Sequence, residues 1–179
     1  MAQWILLPLM ISLSIIHNGI SHVPNKFRIA QGKIIDILPI ELHQVFLYEV
    51  SDTIIIGLDY LPYRNKDLQV LLKLLAGVSQ PGQRRLRIFR ECSLDAVMIT
   101  KDTWIFNDFH PSYDIILQKD EIQKELNSYN EADSKEITEV LNKIGRENRF
   151  EQINLYNQNC IHFVDFLTQS YTDSRNFDN

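Results

Sequence analysis

Asn154-Leu155-Tyr156-Asn157-Gln158-Asn159-Cys160-Ile161-His162-Phe163-Val164-Asp165-Phe166-Leu167 is a polar stretch that passes directly into an amphipathic one. The polar half reads as a loop, and Asn159 is of the residue type that caps a helix N-terminus. The spacing predicts a helix from Asn159 or Cys160 to about Gln169, with Cys160, Val164, Leu167 and Tyr171 on one face. A thiol on the first turn of a helix meets unpaired backbone N–H groups and the positive end of the dipole, which favour a thiolate. Cys160 admits three readings: a nucleophile, half of a disulfide with Cys92, or a small buried hydrophobe. Which of them holds decides what the protein does.

Upstream of the loop the pattern is helical. Residues 134–144 carry Ile137, Val140, Leu141 and Ile144 on one stripe, with Asp133 or Ser134 as cap and Gly145 as stop. Residues 115–129 predict a second helix. Before the break at His110-Pro111 the pattern is strand-like: residues 31–38, 43–50, 52–60, 86–97 and 102–107 predict strands, with Ser51-Asp52 as a tight turn. Ile54-Ile55-Ile56 implies burial on both faces, hence a central strand. Residues 66–75 predict a short helix with Leu68, Leu71, Leu72 and Leu75 at spacings of three and four, followed by a loop over residues 77–82. Strands first and helices last predict one α+β domain, spanning residues 29–171, with a polar tail over residues 172–179.

The chain has 179 residues, 45% hydrophobic and 23% charged, enough for one globular domain. A net charge of −5 and a pI near 5.5 exclude nucleic acid as the main partner. The first 25 residues carry no charged side chain. The apolar run over residues 4–16 is shorter than the roughly 20 residues of a membrane span. It suits a signal-peptide core with Gly19-Ile20-Ser21 at the cleavage point, so residues 1–21 read as a signal peptide and the protein as secreted or lumenal. The alternative is an N-terminal membrane anchor. An oxidising compartment would permit a Cys92–Cys160 bridge, but two cysteines are too few for a disulfide scaffold.

A thiol nucleophile needs a base within hydrogen-bond reach, usually from a residue distant in sequence. His43, heading a predicted strand, is the candidate. His162 lies two positions beyond Cys160 on another helix face and bonds locally on this reading, while His110 sits in a loop. Arg84, Arg85, Arg87 and Arg90 form a basic stripe in which Arg85 and Arg87 share a face. That stripe reads as a solvated edge strand, or as a surface for anionic head groups. The His and Cys spacings build no zinc site, and no cofactor is implied.

Taken in order, these segments resemble the lecithin:retinol acyltransferase (LRAT) domain family. Gly32-Lys33-Ile34-Ile35-Asp36-Ile37, then His43 leading Phe46-Leu47-Tyr48, is similar to its two opening strands, the second of which begins with a catalytic His. Arg90-Glu91-Cys92-Ser93-Leu94-Asp95-Ala96-Val97 and Trp104-Ile105-Phe106-Asn107-Asp108 resemble later strands, and residues 113–123 the helix that follows. Asn159-Cys160-Ile161-His162-Phe163-Val164 resembles its nucleophile motif, with Ile161 where that motif has Glu. The resemblance covers residues 32–171. It implies a permuted papain-like fold related to NlpC-type peptidases, an antiparallel sheet, and a nucleophile helix packed on it. It further implies thiol acyl transfer from a phospholipid or other acyl ester at a membrane surface, with Cys160 as nucleophile and His43 as general base. The family's second His, which orients the first, has Gly57 in its place, and Asp59 on the same side of the strand is the candidate substitute. Gln44 and Glu49-Val50 also depart from the family's strand. The alternative is an inactive LRAT-like domain kept as a lipid- or protein-binding module.

Overall fold

The computed structural model describes residues 26–32, 43–92, 94 and 111–173. These form six strands and four helices, a mixed α+β arrangement around an antiparallel sheet. The strands are β1 (Phe27–Gly32), β2 (His43–Ser51), β3 (Ile54–Pro62), β4 (Gln80–Arg90), β5 (Ser112–Asp114) and β6 (Gln152–Ile153). The helices are α1 (Leu68–Leu75), α2 (Lys119–Leu126), α3 (Glu131–Gly145) and α4 (Cys160–Asp173). Strand order is β1-β2-β3-β4-β5, with β6 pairing the start of β4.

All nine residues of β3 are buried, as the isoleucine run predicted for a central strand. The two faces of the sheet carry different cores. On one face Phe46, Tyr48, Ile56, Leu58, Tyr60, Leu86 and Ile88 meet the helices, including Ile137, Val140 and Ile144 of α3 and Phe163, Val164 and Leu167 of α4. Aromatic contacts fasten α4 there: Tyr171 lies 5.0 Å from Tyr48 and 5.6 Å from Phe46, and Phe163 5.7 Å from Tyr60. On the other face Ala30, Val45, Leu47, Ile55, Phe89 and Leu94 form a smaller cluster. The period of two along each strand produces this division, because neighbouring residues point to opposite faces.

Several boundaries differ from the sequence-based expectation, each for a local reason. Strand β1 begins at Phe27, ahead of the residues 31–38 expected, and residues 33–38 lie outside those described. Strand β4 starts at Gln80, through Pro81 and Gly82, and ends at Arg90 rather than running to residue 97. Glu91, with φ of 53°, turns the chain out of the sheet. The helix expected over residues 115–129 is confined to Lys119–Leu126. Ahead of it the Asp114 carboxylate accepts from the N–H groups of Ile116 and Leu117, which makes a turn instead of a helical start. Helix α3 is capped one turn earlier than expected, by Asn130 accepting from Asp133 N at 2.9 Å. Helix α4 continues past Gln169 to Asp173, so Thr172 belongs to the helix and not to a tail. The expected strand at 102–107, His110, and the 1–21 segment lie outside the described residues. Among the described residues no helix is long and apolar enough to cross a membrane.

Tyr60 explains one glycine. Its ring is fully buried against Phe150 and Phe163, and a Cβ built on Gly82 would lie 2.5 Å from its Cζ. Gly82→Ala is therefore expected to destabilise the fold by about 1–3 kcal/mol through overpacking. Gly145→Ala, whose Cβ meets nothing within 4 Å, should be neutral or mildly stabilising. Urea unfolding midpoints of the two variants check the contrast.

Candidate active site

His43 is the first residue of β2 and Asp59 lies just past the midpoint of β3. The antiparallel register in which Phe46 faces Leu58 sets Asp59 opposite Val45, so His43 is its diagonal neighbour, and His43 Nε2 lies 3.2 Å from Asp59 Oδ2. Both side chains are about 1% exposed, so this is a buried contact. Asp59 faces Arg85 directly across the β3–β4 ladder, and Gly57 faces Arg87. Arg85 donates to Asp59 through Nε at 2.8 Å and Nη2 at 2.7 Å, a two-pronged pair. Arg87 Nη1 adds a third approach, 3.2 Å from Asp59 Oδ2.

Burial alone would raise the Asp59 pKa, but the adjacent Arg85 and Arg87 charges and the bonds from His43 and Arg85 hold it well below the usual carboxylate range. An ionised carboxylate can only accept hydrogen bonds, so the proton of His43 belongs on Nε2. In the neutral ring Nδ1 then carries the lone pair. That atom is buried and makes no hydrogen bond of ordinary geometry. Burial disfavours a charged imidazole, yet Asp59 and Cys160, by hydrogen bonding and by charge, raise the His43 pKa above its ordinary value. Cys160 thus lies close enough to the imidazole to act on its charge.

Cys160 is buried on the first turn of α4. Asn159 caps that helix, its Oδ1 accepting from Ile161 N at 2.9 Å and His162 N at 3.3 Å. The loop before it is tied to itself. Asn154 and Gln158 exchange backbone hydrogen bonds at 2.8 and 3.1 Å, and Asn159 Nδ2 donates to Leu155 O at 2.7 Å. It is also tied to the end of α1: Asn154 Nδ2 donates to Gly77 O at 2.8 Å, and Tyr156 Oη to Leu75 O at 3.1 Å. Gly77, at φ of 79°, closes α1 with its N–H on Leu74 O and that of Val78 on Lys73 O. A glycine stop on one helix and an asparagine start on another therefore fix where the thiol sits.

His43, Asp59 and Cys160 come together. His162 does not join them; its Nδ1 lies 2.9 Å from Asn159 Oδ1. Cys92 and Cys160 are not bridged, which sets aside the disulfide reading. Apart from exposed Arg90, the arginine stripe is neither a solvated edge nor an exposed head-group surface. Strand β4 is interior, Arg87 is buried with Asp59, and Arg84 is buried with Nη1 on the carbonyls of Ile144 and Glu147 at the end of α3. Arg85 and Arg87 are the site residues that sequence reasoning missed, although a lone Asp in an apolar strand calls for such partners. Among the described residues no group of His, Cys, Asp and Glu side chains is arranged to hold a metal ion.

Set against family models, curated proteins and solved structures, the chain gives no match.

Two stability consequences follow from the charges. Asp59→Asn leaves two guanidinium groups short of their carboxylate and is expected to cost about 3–5 kcal/mol at pH 7. Because the folded Asp59 pKa is depressed, its contribution is present above about pH 4 and lost as pH falls through the folded value, so the gap between wild type and variant narrows in acid. The raised His43 pKa works the other way: its contribution is full below about pH 6.5 and lost as pH rises through the folded value. Urea midpoints taken across the pH range should show this alkaline slope in wild type and not in His43→Gln.

Proposed function

We propose that the chain is a thiol acyltransferase or phospholipase of LRAT type, with a permuted papain-like topology, that carries an acyl group on Cys160. The observation that supports this most is the buried His43, held at Nε2 by an ionised Asp59 while Cys160 acts on the same ring. The order nucleophile–base–orienting group is the one that thiol acyl transfer requires. Asp59 answers the objection raised by Gly57, because it occupies the orienting role two residues further along the same face.

In the proposed reaction His43 Nδ1 accepts the Cys160 thiol proton, and the thiolate attacks the carbonyl carbon of a phospholipid ester. The tetrahedral oxyanion collapses as the ester C–O bond breaks, and His43 returns its proton to the departing alkoxide, leaving a lysolipid and a thioester. An alcohol, an amine or water, deprotonated by the same Nδ1, then attacks the thioester and releases the thiolate. Asp59 keeps the proton on Nε2 and stabilises the imidazolium during both steps. The cap on Asn159 already uses the N–H groups of Ile161 and His162, so these two are not the oxyanion donors.

Incubating the full chain with a phospholipid bearing a labelled acyl chain should give a thioester on Cys160 by mass spectrometry, absent in Cys160→Ala. Asp59→Asn should slow its formation by about 100-fold or more, measured where circular dichroism shows the variant folded. Wild type with no adduct above the Cys160→Ala background sinks the enzyme reading and leaves the lipid- or protein-binding module.

A further inference from the structure

Helix α1 carries the leucine stripe expected from its sequence, but the stripe faces the wrong way for a core. Leu68, Leu72 and Leu75 are 68%, 56% and 57% exposed, whereas the same helix packs inward through Leu74 and Val70. Exposed Val78, Tyr63 and Tyr156 extend the apolar area at both ends. An amphipathic helix normally buries its larger apolar face, so a stripe of leucines left in water marks a surface that meets something apolar.

The charge around it indicates what. Between Tyr63 and Ser79 lie Arg64, Lys66 and Lys73 against the single carboxylate of Asp67, in a chain whose net charge is −5. Asp67 is itself engaged as the N-cap of α1, accepting from Gln69 N at 2.9 Å. A groove of about 260 Å³ beside the helix is lined by Arg64 and Lys73 with Tyr63 and Gln80. Exposed leucines flanked by cations and tyrosines in an otherwise acidic protein are the chemistry of a surface that sits in the head-group region of an anionic bilayer.

Position ties this surface to the site. Helix α1 joins the end of β3 to the start of β4, at the end of the sheet where antiparallel β2 begins with His43. Tyr156 and Asn154, in the loop that delivers Cys160, are bonded to the last turn of α1. We propose that α1, with Tyr63 and Tyr156, docks the site end of the molecule onto the surface of an anionic phospholipid membrane. The docking surface stands on its exposure and charge; its use in presenting an acyl ester to Cys160 rests on the acyl-transfer reading above.

The test uses the full chain with vesicles of phosphatidylcholine alone and of phosphatidylcholine with phosphatidylserine. Wild type should co-sediment with the mixed vesicles, more weakly without phosphatidylserine and in high salt. Leu72→Gln with Leu75→Gln should weaken binding by about tenfold or more, and Arg64→Gln with Lys73→Gln should reduce the preference for phosphatidylserine. Because other parts of the chain can also bind lipid, Leu72→Trp supplies a local readout: its added emission should shift to the blue and be quenched by brominated acyl chains. Cys160→Ala should bind vesicles as wild type does, so docking is scored apart from thioester formation. If the added emission of Leu72→Trp is indifferent to vesicles, the proposal is overturned. It is overturned equally by a concentration-dependent dimer that the Leu72→Gln, Leu75→Gln pair disrupts without any vesicle binding, since the stripe would then meet a second copy.

Discussion

A carboxylate in the middle of a fully buried strand is the constraint that organises this molecule. Asp59 cannot be placed there as an isolated charge, because desolvation would cost several kcal/mol. It remains ionised because Arg85 lies directly opposite and Arg87 reaches it from the next position on the same face. This pairing sets the register of β3 on β4. A slip of one residue would carry Arg85 and Arg87 to the helix-facing side and leave Asp59 without counter-charge. Strand β4 thus does two electrostatic jobs by alternation. Its odd-numbered arginines neutralise Asp59, while Arg84 reaches the end of α3 and Arg90 reaches Tyr129, Ser128 and Glu125 at the end of α2.

From Asp59 the constraint passes to His43 and then to Cys160. An acceptor fixed by two guanidinium groups gives the imidazole one tautomer and one orientation, so the lone pair on Nδ1 is determined by residues two strands away. The thiol is fixed independently, by the hydrogen-bonded loop and the Asn159 cap. The two halves meet only because α4 packs along β2 and β3 through Phe163, Val164 and Leu167. Hydrophobic packing brings the site together, and buried charge aligns it.

Some of this was legible in the chain and some was not, for reasons that differ by residue. The central position of β3 could be read from three consecutive isoleucines, and the start of α4 from an asparagine before an amphipathic run, because both are local signals. Asp59 could be suggested from its period with Gly57, though its bond to His43 depends on a strand pairing. The arginines of β4 were misjudged because a charged stripe usually marks an edge, and only β5 on the far side of β4 makes that strand interior. The α1 leucines have the spacing of a core-facing stripe, and nothing local says which side of the helix meets the sheet. The long helix expected at 115–129 failed to a side-chain turn, since Asp114 offers the backbone a competing acceptor.

Gly57, Asp59 and the two arginines fit one physical account. A neutral imidazole in the orienting place would need a hydrogen-bond partner but no counter-charge. A carboxylate there stabilises an imidazolium more strongly, and it also requires cations to remain ionised once buried. Gly57 bears on this directly: it stands between Leu47 and Arg87 in the ladder, on the face where Arg87 extends toward Asp59. A ring at residue 57 would compete with that guanidinium for the same face of the sheet. Glycine at 57, aspartate at 59 and arginines at 85 and 87 therefore belong to a single arrangement, in which a buried acid beside His43 is kept ionised by two guanidinium groups.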